Sequence, residues 1–375
     1  MEIKRLKLHS FRNYQELDIS FNKKINIFIG NNAQGKTNLL ESIYLLAISK
    51  SHKTYKDKEL ITFTEKFSRV GAELLKDDSV IRLEIIISPQ GKKVFINDVE
   101  KRRISEYIGV FNVVMFAPED LNIVKGDPNY RRKFIDVEIG QTSPIYIHEL
   151  NQYNKILRER NEFLKLAQQT KKIDYHYLDV ITEQLAKLGA SITKKRATFI
   201  EKLNIYAKKL HNHISNFTEE LDIKYQSNYQ QQDISFDNIL NLYKEYYQTD
   251  FHKATTQIGI QRDDIKFYIN NVDASLYGSQ GQQRTVALAV KLSLIDFIKE
   301  ETSYYPIVLL DDVLSELDDQ RQTQLLDCIK DKVQTFVTTT NISGIKEDLL
   351  KKADIFYIKD AKVYEREGDH YGEDK

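Results

Sequence analysis

Cysteine is almost absent. The one thiol in 375 residues, Cys328, has no partner for an internal disulfide and leaves a cysteine-based zinc site without ligands. So thiol-poor a chain suits a reducing, cytoplasmic compartment. No apolar run approaches the ~18 residues that a membrane-spanning helix needs, so no membrane partner is expected. The opening segment, MEIKRLKLHSF, lacks the unbroken apolar core of a secretory signal. Net charge is missing too, with Lys+Arg and Asp+Glu at 55 each. A near-neutral field excludes a molecule that is basic all over, so a nucleic-acid partner has to be met by local basic patches. Glycine is scarce as well, 14 residues, about half the usual ~7%. Where glycines do stand close together, they therefore carry information.

The length is too great for one small core and points to two lobes or domains. The first third reads as strands and turns. IKRLKLHSF alternates, KINIFIG is a short apolar run ending at Gly30, and VIRLEIIIS and KKVFIND flank the turn PQG as a hairpin. VVMFAPEDL is a strand that stops at Pro118. Residues 145–217 are different: they hold no proline, and Gly189 is their only glycine. Leu178, Leu185, Ile192, Phe199 and Tyr206 recur every seven residues, with a break near Lys195. Forty helical residues span about 60 Å. Two readings stay open: a helical domain with long helices, or a protruding coil. An earlier helix, with Leu150, Tyr153, Leu157, Leu164 and Ala167, would pack antiparallel to this one, and SNYQQQDISFDN reads as a polar loop. The last third returns to α/β. The expected division is 1–120 with 250–375 as one unit and 121–249 as an insertion. There is no internal repeat.

GNNAQGKT, residues 30–37, satisfies G-x-x-x-x-G-K-[ST], entered by the strand INIFI and left by the apolar helix NLLESIYLLAI. Gly30 and Gly35 let the backbone curl, so that the amides of Asn31, Asn32, Ala33 and Gln34 face phosphate. Lys36 would reach the β- and γ-phosphates of ATP, and the Thr37 hydroxyl would ligate Mg²⁺. In PIVLLDDVLSELD, four apolar residues bury a strand and Asp311 and Asp312 emerge at its end. Asp311 suits the Mg²⁺ shell, and Asp312 would orient or deprotonate the attacking water. The plainer alternative is a pair that caps the next helix. YGSQGQQRT, 277–285, is a polar turn at a helix head, an anion site by geometry and dipole. One phosphate cradle is already present. Ser279 and Gly281 are therefore read as meeting the γ-phosphate held by Lys36 of a second copy; otherwise the loop caps its own helix.

In this order, the P-loop, SQGQQR and LLDD…SELD resemble the head domain of ABC ATPases, in the DNA-repair branch related to SMC proteins. LHSFRNY (8–14), GNNAQGKTNLLE (30–41), KSHKTYKDKELI (50–61), MFAPEDLNIVKGDPNYRRKF (115–134), GSQGQQRT and LLDDVLSELD together closely resemble the RecF family. The resemblance runs from the N-terminus to about residue 345. It implies an α/β fold: an ABC-type head of two lobes, mixed β-sheets flanked by helices, with an inserted helical, coiled-coil-like arm. It implies a weak, DNA-stimulated ATPase that dimerises around ATP and Mg²⁺. Such a protein binds gapped or single-stranded/duplex junction DNA without sequence specificity. It assists RecA loading with RecO and RecR, and supports replication restart and SOS induction. Carried over, Gly30 to Thr37 hold the nucleotide and Ser279, Gly281 and Gln282 are the contacts from the second copy. Thr37 and Asp311 hold the metal, Lys36 and Asp312 act catalytically, and Ser315 and Asp318 line the dimer face.

Four basic clusters are candidates for a DNA track: 50–58, 100–103, 130–134 and 194–196. Lys53, Lys56, Lys58, Arg102 and Arg103 are the chosen residues, and a backbone-binding track of this kind weakens steeply with salt. Arg131 and Arg132 either lie near nucleotide or stabilise a lobe junction. The alternatives are an SMC-like ATP-gated DNA clamp or a nuclease-associated ATPase of another repair pathway. A transporter subunit would carry a shorter insert, and an SMC tether needs far more coiled coil than this length holds. Many relatives carry Glu where this chain has Asp312, and FVTTTN offers Thr338, Thr339 and Thr340 in place of a switch histidine. An aspartate is one methylene shorter and would hold the water less well. Steady-state hydrolysis is therefore expected well below the ~10 s⁻¹ of a typical enzyme, and a turnover above that value contradicts the assignment.

Overall fold

The computed structural model describes residues 1–229, 234–317, 319–329, 332–341 and 347–364. Asp318, the side chain of Ser315 and the Cys328 thiol lie outside the described residues. The chain forms two compact units, Met1–Asp120 with Leu294–Lys375, and Leu121–Ser293.

The first unit contains two six-stranded sheets. One is antiparallel, in the order Tyr14–Ser20, Glu2–Phe11, Ser68–Lys76, Ser79–Ser88, Gly91–Ile96, Val99–Lys101. It includes the hairpin expected around PQG. The other runs Lys362–Tyr364, Ala353–Lys359, Ile25–Ile29, Thr335–Thr339, Ile307–Asp311, Val113–Phe116, parallel except for its first strand. Every residue of its last three strands is buried, as parallel strands covered on both faces require. The helix Lys36–Ile48 packs against strands of both sheets. It therefore buries Leu39, Leu40, Ile43, Leu45, Leu46 and even Glu41 rather than showing one polar face. A buried amide ties the two sheets: Gln334 accepts from the Ile3 amide at 2.7 Å and donates to the Ile3 carbonyl at 2.9 Å.

The second unit is mainly helical. Pro128 and Pro144 open the helices Pro128–Thr142 and Pro144–Thr170, where a missing N–H costs nothing, and Asp127 and Ser143 cap them. The helix Tyr175–Ile214 is 40 residues long. Its heptad side chains Leu178, Leu185, Ile192 and Phe199 are buried within the unit, where the helix packs on Pro144–Thr170, Phe236–Glu245 and the strand Leu221–Gln226. Of the two readings, this is a helical domain with long helices. The sequence did not suggest the three-stranded sheet Leu221–Gln226, Asp264–Ile269, Val272–Asp273.

The break near Lys195 has a physical cause. Arg196 sits there with 1% exposure, and its guanidinium donates to Asp263 (2.7 Å), the Ile260 carbonyl (2.8 Å), Asp136 (2.7 Å) and the Tyr146 hydroxyl (2.9 Å). Asp263 also accepts from the Asn228 amide at 2.8 Å and from the Tyr225 hydroxyl. A second buried arginine, Arg160, donates to Asp250 and Thr256 at 2.7 Å and to Thr182 at 3.0 Å. Among the described residues no helix is long and apolar enough to cross a membrane.

Replacing Arg196 with Met would leave Asp263 and Asp136 without their cation. A loss of about 3–5 kcal/mol in urea denaturation is expected, while a change below 1 kcal/mol would mean the network contributes little.

Candidate functional site

The site starts from strand order. Thr335–Thr339 lies between the loop-bearing strand Ile25–Ile29 and the aspartate-bearing strand Ile307–Asp311. Register sets Thr338 opposite both Phe28 and Asp311. At this edge the Thr37 and Thr338 hydroxyls both donate to Asp311 Oδ1, each at 2.9 Å. Thr338 Oγ1 also accepts from the Asp312 amide at 3.0 Å. Asp312 adopts a left-handed backbone, φ 57°. One threonine thus orients both aspartates.

The loop between Ile29 and Lys36 is shaped by two left-handed residues. Ala33 has φ 67° and Gly35 φ 112°, and alternation of this kind turns successive amides toward one concavity. An alanine in this region is strained by roughly 1–3 kcal/mol, a cost usually met at binding sites. Gly30 has no room for a side chain, since a Cβ there would stand 2.4 Å from the Ile358 carbonyl oxygen. Gln34 is held by the turn at 360–361, accepting from the Ala361 amide at 3.1 Å and, on its side chain, from Asp360 at 2.5 Å. Lys36 is 5% exposed, and its Nζ donates to the Gly30 carbonyl at 2.6 Å and the Asn31 carbonyl at 3.0 Å.

Burial pushes the Lys36 ammonium below its usual value, and the charges of Asp312 and Asp311 oppose that shift. Burial pushes the Asp311 carboxyl up; Thr338, Thr37 and the Lys53 charge act against it, and Asp312 adds to it. An ammonium, a set of loop amides and a carboxylate held by two hydroxyls therefore converge at the head of a 13-residue helix. This donor set fits a polyphosphate, and Thr37 with Asp311 fits a hard divalent cation.

The motif LHSFRNY finds its role here, which sequence reading alone did not assign. Arg12 makes a two-pronged ion pair with buried Glu41, at 2.9 and 2.7 Å. Asn13 accepts from Asn38 at 2.8 Å, and the Tyr14 hydroxyl donates to the Gly35 carbonyl at 3.2 Å. Three successive residues thus brace the start of the helix behind the loop. Arg12 and Asn13 fill the turn between the first two strands and Tyr14 opens the second, a position that offered no local signal. Thr338 was also missed as the orienter of Asp311, although the FVTTTN run had marked it.

In the second unit, Ser279 and Gln282 form a reciprocal cap. Gln282 accepts from the Ser279 amide at 2.8 Å, and Ser279 accepts from the Gln282 amide at 3.2 Å. Gln282 also donates to Glu219 at 2.8 Å. Ser279 stays exposed, and its neighbours Leu276 and Tyr277 expose 72% and 75% of their surface. The helix they precede, Gln280–Thr302, is 23 residues long, and Gly281 lies in its first turn.

The basic clusters sort clearly. Lys53, Lys58, Arg102 and Arg103 are exposed; Lys56 is also exposed but lies 3.7 Å from Glu59. The 130–134 and 194–196 clusters are largely consumed inside the second unit. Arg131 pairs with Asp264 at 2.5 and 3.0 Å, Arg132 donates to the Asp263 carbonyl at 2.6 Å, and Lys195 pairs with Glu149 at 2.6 Å. Arg131 and Arg132 therefore brace their own unit. A groove of about 580 Å³ on the antiparallel sheet is lined by charges that already pair, such as Arg5 with Asp18 and Arg82 with Asp98. No group of three or more His, Cys, Asp or Glu positioned for a metal occurs among the described residues.

Comparison with known proteins follows the same lines. The family model described as RecF/RecN/SMC N terminal domain matches residues 2–360. The DNA replication and repair protein RecF of Shouchella clausii (strain KSM-K16) is 49% identical over 97% of this chain and 99% of its own length. The protein of the same name from Geobacillus sp. (strain WCH70) is 47% identical over 97% and 98%. Among solved structures, the recombination mediator protein RecF-ATP in the RecFOR pathway superposes with a TM-score of 0.90 at 34% identity, covering 97% of each chain. An SMC head bound to the C-terminal winged-helix domain of ScpA shares the fold, with a TM-score of 0.55 at 16% identity over 97% of each chain.

A methyl at Gly35 would meet Asn13 Nδ2 and the Tyr14 hydroxyl at 3.0 Å, on a backbone that L-residues rarely adopt. Gly35→Ala is expected to cost about 1–3 kcal/mol in urea denaturation and to abolish binding of a fluorescent nucleoside triphosphate. Unchanged affinity would remove this loop from the site.

Proposed function

This chain belongs to the RecF/RecN/SMC N-terminal family, and within it to the RecF proteins, and from that premise we propose that it is an ATP-gated DNA-binding protein of replication and recombinational repair. The observation that carries this reading is the convergence of Lys36, Thr37 and Asp311 on one loop mouth, with Thr338 holding the aspartate.

Bound ATP would supply the polyphosphate that bridges two copies, and Mg²⁺ would neutralise part of its charge. The loop amides from Asn31 to Gly35 bind and orient phosphate oxygens. Lys36 exchanges its bonds to the Gly30 and Asn31 carbonyls for phosphate. Thr37 and Asp311 would hold the metal, and Asp312 would accept the proton of the attacking water. Asp311 must be ionised for this. Its carboxyl is pushed up by burial, so metal-dependent binding strengthens as pH rises through that raised value.

Ser279, Gly281 and Gln282 meet the nucleotide of a second copy. In the single chain Ser279 and Gln282 satisfy each other, and Ser279 and Gln280 stay exposed at the helix N-terminus. Exposed Leu276 and Tyr277 beside it favour a face that another chain covers. In this reading residues 1–120 and 250–375 form the ATPase head and 121–249 its inserted arm, with residues 250–293 belonging to the head in function while they pack within the second compact unit. The DNA is gapped or of single-stranded/duplex junction type, met by Lys53, Lys56, Lys58, Arg102 and Arg103. RecO and RecR are the protein partners, and the cytoplasm is the compartment. ATP closes two heads over DNA and slow hydrolysis releases them.

Mass in solution tests this, with and without ATP and gapped duplex. The wild type should double in mass with ATP, more readily with DNA. Lys36→Ala should lose ATP binding and doubling together. Asp312→Asn should accumulate the dimer, and Ser279→Arg should bind ATP yet stay single. Normal doubling of Ser279→Arg would overturn the contact from the second copy.

A further inference from the structure

In the segment from Lys50 to Phe67, the side chains of Tyr55 and Phe63 are largely turned to solvent. Tyr55 is 88% exposed and Phe63 is 102% exposed. A phenylalanine wholly in solvent buries nothing in its own chain. Neither ring takes part in the nucleotide site described above.

The backbone that presents these rings is rigidly held. Ser51 donates to buried Glu41 at 2.5 Å and accepts from the Lys53 and Thr54 amides at 2.9 and 3.1 Å. Leu60 is fully buried, and its carbonyl accepts from the Arg12 amide at 2.8 Å. Arg12 also donates to the Glu59 carbonyl at 2.9 Å. Ile61 bridges to Phe11, and the Thr62 amide donates to the Ser10 carbonyl at 2.9 Å. A tight turn, closed by the Glu65 amide on the Thr62 carbonyl at 2.8 Å, holds Phe63 at its crest. Rings held on a fixed frame pay little ordering cost on binding.

The charge around them has one sign to spare. Asp57 is neutralised by Lys92 at 3.0 Å and Glu59 lies 3.7 Å from Lys56; Glu65 is exposed with no ion pair among the described residues, so five lysines stand against three acids between 50 and 67. Lys50, Lys53, Lys58 and Lys66 are exposed and have no ion pair within 4 Å among the described residues. Lysine is depleted at the cores of protein interfaces, whereas a cationic track set with aromatic faces is what single-stranded nucleic acid binds. The two positions are eight apart in sequence, so their Cα atoms lie within about 29 Å of each other, inside the reach of one short strand.

We infer that Tyr55 and Phe63 stack on unpaired bases, making this segment a single-strand site beside a lysine track for the DNA backbone. The inference rests on the DNA-binding reading above and adds to it a physical basis for choosing junctions. Lysines bind duplex and single strand alike through phosphate. Rings engage only bases that are out of the double helix.

The test uses the full chain and three labelled DNAs followed by anisotropy at fixed salt: oligo(dT), a fully paired duplex and a gapped duplex. Tyr55→Ser and Phe63→Ser remove rings that are 88% and 102% exposed, and urea denaturation checks that each variant keeps the fold. Each should weaken oligo(dT) binding by ~5- to 150-fold and leave the paired duplex unchanged. Lys58→Ala should weaken all three and flatten the salt dependence. The chain contains no tryptophan, so Phe63→Trp creates a single reporter, and its fluorescence should be quenched by oligo(dT) and not by the paired duplex. If the wild type binds DNA while both serine variants hold oligo(dT) as tightly and the tryptophan is not quenched, the stacking site is wrong and the DNA reading stands. If the serine variants lose ATP-dependent doubling with DNA affinity intact, the rings belong to a protein interface and the inference falls. A wild type that binds none of the three DNAs would remove both readings.

Discussion

A single carboxylate oxygen organises the candidate site. Asp311 Oδ1 accepts hydrogen bonds from Thr37 on the helix after the loop and from Thr338 on the strand between. Without those donors a carboxylate at so buried a strand end would carry an uncompensated desolvation cost. With them it is held ionisable and aimed, and Thr338 also fixes the backbone of Asp312. The chemistry therefore depends on a strand, Thr335–Thr339, that contains none of the acid or base groups itself.

Behind the loop, the same economy recurs with Arg12 and Glu41. Glu41 is fully buried on the loop's own helix, one turn beyond Thr37. Burial alone would raise its carboxyl, but hydrogen bonds from Arg12 and Ser51 bring it below the usual range. Arg12 also reaches the carbonyl of Glu59, and Ser51 opens the lysine-bearing segment. One buried charge thus ties the first strand, the loop helix and the cationic segment into a single frame.

In the second unit, charge serves packing rather than ligand binding. Arg196 and Arg160 are enclosed by carboxylates, hydroxyls and carbonyls, and Arg131 spends its fork on Asp264. Such networks are weak evidence for stability, since two charges must leave water. They do explain why Arg131 and Arg196, which look like part of a nucleic-acid track in the sequence, are spent inside the unit.

Much of the site was legible along the chain because its parts are local. A strand, a glycine loop and a lysine at fixed spacing cannot form without the backbone curling, so Gly30 to Thr37 declared themselves, as did the apolar run ending in Asp311 and Asp312. The 40-residue helix followed from a seven-residue period without proline. The sequence left open whether that helix protrudes or packs, because a heptad face looks the same against a second helix or a sheet. Only the tertiary structure decided that, by laying Leu221–Gln226 and Phe236–Glu245 on it. It also decided which arginines are buried, which threonine orients Asp311, and what LHSFRNY braces. Those are long-range pairings, Thr37 with Asp311 across 274 positions and Arg12 with Glu41 across 29. Spacing along a chain encodes local curvature and periodicity, but a partner brought in by strand order leaves no mark on the residues beside it.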